Sequence, residues 1–176
     1  MKYKYLIAAG RAHLANYPGY EPSKRLTTMF PAGARWMYDR LIELDGRNTC
    51  PFDPATNYNF YGWLKYGVCV VGFLLSCRGF AVYAPLLVPV SILVFYLLEI
   101  QFLFLFPLLI DNSKEPVRRG IREVFKIGII GCLFIVIPIS LFMLLGLCNK
   151  RQRYLNWHIG CMAILIWYND EVRNRL

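Results

Sequence analysis

Charge is scarce in this chain. Of 176 residues only 18% are Asp, Glu, Lys or Arg, against about 25% in an ordinary globular protein. Long disorder, collagen and coiled coil are excluded by the same composition, in which 57% of residues are hydrophobic and 16% aromatic. Acid is scarcer still. Eleven Asp and Glu stand against 20 Lys and Arg, a formal charge of +9. In so apolar a chain that excess points to cytoplasmic loops and anionic lipid rather than nucleic acid.

The chemistry-bearing motifs are missing too. No GxSxG, HExxH, P-loop, EF-hand or DxxD pattern occurs, which disfavours a conventional hydrolase or NTPase. Ser76, Ser91, Ser113 and Ser140 have no nearby His with a supporting acid. Six cysteines include no CxxC pair, and those in apolar runs read as small packing residues rather than a disulfide framework. Of the two histidines, only His158 lies near an apolar run, so a membrane haem with paired imidazoles is disfavoured. His158 and Cys161, with Cys148 upstream, are too few and too loosely spaced for zinc. No metal and no cofactor is expected. The apolar stretch Tyr5–Gly10 is too short for a signal-peptide core, so the start reads as a retained helix near the membrane surface. No internal repeat is visible, which argues against an inverted-repeat transporter.

What the chain does have is apolar length. From Tyr66 to Ile110 it is interrupted only by Arg78, Glu99, Gln101 and small polar groups. One span takes about 20 residues, so this stretch reads as two, turning near Ala84-Pro85, with Arg78-Gly79 a rival turn. The predicted fold is an all-α polytopic membrane protein with three to four transmembrane helices behind an N-terminal polar, amphipathic segment. The segment covers 1–63, the helical hairpin 64–110, a basic cytoplasmic loop 111–123, and a third transmembrane helix 124–148. A short fourth helix over 154–168 either spans or lies in the interface, and 169–176 is a polar tail. Within the first segment a helix is expected between Pro31 and Gly46, with Trp36, Met37, Leu41 and Leu44 on one side.

Topology follows from cations. The polar first third, the 114–126 stretch and Arg173 and Arg175 fall on one side if four helices cross, leaving Lys150, Arg151 and Arg153 opposite. The positive-inside tendency then places the N-terminus in the cytoplasm, in a plasma (inner) membrane rather than an organelle.

Three groups of residues are candidates for a role. Glu99, with Gln101 and Arg78, forms the intramembrane polar set; a carboxyl at bilayer depth costs about 3 kcal/mol or more unless paired or protonated. It reads as a contact with a partner helix, an internal pair with Arg78 or a tyrosine, or a chemical group. Arg118, Arg119, Arg122 and Lys126 form a basic face beside the apolar stripe Val117, Ile121, Val124 and Phe125, suited to lipid headgroups. Tyr58, Phe60, Tyr61 and Trp63 form an interfacial aromatic belt. These readings favour a non-catalytic subunit or assembly factor bound to membrane lipids and to an integral membrane partner or its own copies. A membrane enzyme acting on a lipid or isoprenoid through Glu99 or Asp111 is an alternative, as is an oligomeric proton or ion conduit built on Glu99.

Overall fold

The computed structural model describes residues 2–15, 26–45, 51–148 and 154–175. Among these there are helices and no strand. The turn signals at 17–23, Gly46, Cys50 and the cations Lys150, Arg151 and Arg153 lie outside the described residues.

Helix α1 covers Lys2–Ala15 and α2 covers Leu26–Asp45. The latter starts before Pro31 rather than after it. A proline inside a helix removes one backbone donor, and here the preceding turn is held from outside. Phe30 packs edge-on to Trp63 at 5.8 Å and stacks on Tyr66 and Phe106 at 6.0 and 6.1 Å.

Helix α3 runs Tyr58–Tyr83 and is N-capped by Asn57, whose side-chain oxygen accepts from the Phe60 amide. It ends at Ala84, where the expected turn falls. A 3-10 segment Pro85–Val90 leads into α4, Ser91–Gln101. Three bent residues follow, and α5 covers Leu105–Ile110. Helix α6, Pro116–Ile127, opens with proline at its first position, where no donor is needed. Gly128, at φ 100°, turns the chain into α7, Ile129–Leu147. Helix α8, Leu155–Glu171, and a 3-10 turn Arg173–Arg175 complete the described chain.

Among the described residues three segments are long and apolar enough to cross a membrane: Tyr58–Tyr83, Pro85–Ile110 and Ile129–Leu147. They differ in what covers them. Only 6% of the apolar window of α3 is buried in the protein, against 56% for Pro85–Ile110 and 28% for α7. The second value is not evenly spread. Residues 85–99 are mostly exposed or half-buried, whereas Phe102 to Leu105 and Pro107 to Ile110 are buried. That run is apolar because it forms the core under α2, α6 and α8, and only the stretch before it offers a lipid-facing surface.

Helix α8 carries the rest of the core. Ile159, Met162, Ala163, Leu165, Trp167 and Tyr168 are all buried. It lies antiparallel to α7: Gly146 meets Asn156 near its start, and Gly160 meets Met143 and Ile139. Glycines allow this approach, since a Cβ on Gly160 would lie 2.3 Å from Met143 Cγ. Helix α1 crosses the other side of α8, with Gly10 against Ile159 and Ala163, and Lys2 paired with Glu171.

Candidate functional site

Two polar centres and one basic surface stand out. The first lies between α3 and α4. Lys65 Nζ is 4.0 Å from Glu99 Oε1, both largely shielded, and the same ammonium lies over the Tyr66 ring at 5.5 Å. Arg78 is not the partner of Glu99. The hairpin register explains this. Gly72 meets Leu98, and Phe73 meets Phe95, so Glu99 is level with the first half of α3. Six residues of 3-10 helix rise about 2 Å each rather than 1.5 Å, which carries Glu99 deeper than an α-helical count from Pro85 would. Arg78, exposed and nearer the hairpin tip, sits well away. Gln101 turns inward and donates to the Leu97 carbonyl at 3.3 Å, while its own amide oxygen is buried without a partner.

The second centre ties chain ends together. Arg173 lies 3.4 Å from Asp45 and 3.1 Å from Asp111, and also donates to the Leu41 carbonyl at 3.4 Å. Tyr168 Oη donates to the other Asp111 oxygen at 2.7 Å. All of these are partly or wholly buried, so α2, the turn after α5, α8 and the last 3-10 turn share one ionic knot.

The basic face of α6 is less uniform than its sequence. Arg118 pairs with Glu115 at 3.3 Å and Lys126 with Glu123 at 2.7 Å. Arg122 is exposed, and Arg119 is half-buried. The apolar stripe is displaced from the expected one. Pro116, Gly120, Glu123 and Val124 face inward, while Phe125 is 60% exposed. Gly120 faces the Gln101 carbonyl and Leu108, each 3.6 Å from where a Cβ would stand. Phe125 therefore shares the outer face with Arg118 and Arg122.

The aromatic belt divides by helix face. Tyr58 is buried, stacked on Phe52 at 5.4 Å and near Phe106. Phe60 and Trp63 are 57% and 56% exposed, and Tyr61 is half-buried. Before the belt, Asp53 accepts from the Ala55 amide and the Thr56 hydroxyl, which together hold its carboxyl below the usual range. His158 packs on the Trp36 ring at 5.4 Å. Among the described residues no three His, Cys, Asp or Glu side chains converge as metal ligands would.

Lys65, Asp45, Arg173 and Tyr168 are the residues that sequence reasoning did not select. Lys65 was legible from hairpin register; the others belong to contacts between distant segments, which no local pattern marks. Compared with known protein families, curated proteins and solved structures, the chain matches none.

Proposed function

We propose that this protein is a non-catalytic integral membrane subunit or assembly factor, held by its bare apolar helices against a larger membrane partner. The observation that carries the reading is the pairing of Glu99 with Lys65. The carboxylate on which a catalytic or conducting role would rest is instead a tie between two helices of the same chain. Asp45 and Asp111 are likewise occupied by Arg173. Against this internally satisfied set stands α3, which is nearly uncovered beyond α4 and the Phe30 contact of α2 near its start. Val71, Leu75 and Val82 are exposed on it, with Arg78 on the same helix. An arginine on an apolar helix is costly in hydrocarbon unless it reaches the headgroups or meets an acid, so a partner helix with a carboxylate near Arg78 would relieve it.

The same reading includes a four-crossing topology with both ends in the cytoplasm. Lys2 meets Glu171, and Arg173 meets Asp45 and Asp111, so the polar elements gather at one end, as the positive-inside tendency favours. Helix α8 would then be a short crossing shielded by α1, α2 and α7.

The test is photo-crosslinking in native membranes from probes at Val71, Leu75 and Val82, followed by mild-detergent capture and intact-mass analysis. A stoichiometric larger protein crosslinked at these positions is expected. Lipid adducts alone, with a lone chain or a homo-oligomer after capture, would overturn the proposal.

A further inference from the structure

The geometry points to a discrete anionic-lipid site, not on the basic face of α6 but in a cleft between the start of α3 and the turn after α5, where Lys114 receives the headgroup phosphate. The cleft holds about 440 Å³. Thr56, Asn57 and Tyr61 form one wall, and Asn112, Ser113 and Lys114 the other. It rests on the membrane reading for its depth: Phe60, also in the lining, and Trp63 are the exposed rings on the first turns of the first apolar span. Rings of that kind sit at the headgroup layer. A polar cleft opening beside them meets phosphate and glycerol rather than acyl chain.

The charges inside the structure favour Lys114 over its neighbours. Arg118 and Lys126 are each neutralised by a glutamate on the same stretch. Lys114 is exposed and has no ion pair among the described residues. Asn57 spends its oxygen on capping α3, which leaves its amide nitrogen to donate. Ser113 and Asn112 add donors on the facing wall, and Asn112 takes a positive φ of 52° that bends this turn over the α5 end. The acids beside the cleft are engaged elsewhere: Glu115 with Arg118, Asp111 with Arg173 and Tyr168, and Asp53 with Ala55 and Thr56. A cation flanked by neutral donors in a wide-mouthed cleft suits a phosphodiester with a small hydroxylated headgroup, as in phosphatidylglycerol.

The experiment is native mass spectrometry of the full chain in detergent titrated with dioleoyl-phosphatidylglycerol. Dioleoyl-phosphatidylcholine and soluble glycerol phosphate are titrated in parallel. One saturable phosphatidylglycerol is expected, preferred over phosphatidylcholine, and Lys114→Gln should weaken it about fivefold, as loss of one interfacial cation implies. Arg122→Gln, which removes an exposed cation of α6, should change it less than twofold. Because Lys114 is exposed, an unchanged melting temperature will confirm that Lys114→Gln folds. Equal effects of the two substitutions would mean diffuse attraction to the basic surface and overturn the site. Equal binding of glycerol phosphate would replace the lipid with a soluble phosphate and overturn it as well. Neither outcome alters the crosslinks from α3, so this site and the subunit reading fail separately.

Discussion

Arg173 Nη2 sits 3.1 Å from Asp111 Oδ1, joining the last turn of the described chain to the turn that follows α5, more than sixty residues earlier. The same guanidinium reaches Asp45 at 3.4 Å. Removing it would take away the guanidinium that two shielded carboxylates share. Breaking a buried pair from one side costs about 3–5 kcal/mol. Arg173→Ala should therefore lower the melting temperature in detergent far more than Arg122→Ala, which removes an exposed arginine of α6. Pairing Arg173→Met with Asp111→Asn and Asp45→Asn should recover much of the loss. Failure of the triple variant to recover would show that the knot is held by packing and not by charge.

Tyr168 gives the knot a neutral donor. Its hydroxyl donates to Asp111 at 2.7 Å. Tyr168→Phe keeps the ring beside Phe104 and removes that one bond. A hydrogen bond to a charged group contributes about 1.5–3 kcal/mol, so thermal melts in detergent should place Tyr168→Phe clearly below the wild type. An unchanged melting temperature would place the hydroxyl outside the knot.

At the Lys65–Glu99 contact the expected result is coupling rather than a large single loss. Glu99→Gln and Lys65→Met each remove one charge from between α3 and α4, and the double substitution removes both. Contacting groups of this kind couple by about 0.5–3 kcal/mol. A double-mutant cycle on unfolding in a denaturing detergent measures it. Additive effects would show that the 4.0 Å separation carries no interaction, and would return Glu99 to the conduit and enzyme readings.

Much of the architecture was legible because it depends on local rules. Apolar length marked the three long helices. Ala84-Pro85 marked the hairpin turn, since proline cannot continue the α3 hydrogen-bond ladder. The division within Pro85–Ile110 was not legible, for a physical reason. Hydrocarbon and protein core select the same side chains, and only packing against α2, α6 and α8 shows that Phe102 to Leu105 and Pro107 to Ile110 are buried. The displaced stripe of α6 has a similar origin. Gly120, neutral to any hydrophobic pattern, is buried on the inward face, and so is Glu123, which a hydrophobic pattern assigns to the outside. The ionic knot was invisible because its members come from four segments, each with an unremarkable local charge.

Close approach of α1 to α8 supplies the last prediction. A Cβ on Gly10 would lie 2.8 Å from the Ile159 carbonyl oxygen and 3.2 Å from the Ala163 nitrogen. Both are backbone atoms in the middle of a buried helix, so they cannot swing aside as a side chain would. Helix α1 must instead move out, loosening the burial of Leu6 and Leu14. Overpacking of this kind costs about 1–3 kcal/mol, and Gly10→Val should lie at the upper end. Gly67 on α3 is the control, because a Cβ there meets nothing within 4 Å. Gly67→Ala should be neutral or slightly stabilising, since alanine is the better helix former. Thermal melts of the two variants in the same detergent decide the matter. A Gly10→Val variant as stable as Gly67→Ala would mean that α1 does not rest on α8, and would remove the N-terminal helix from the folded core.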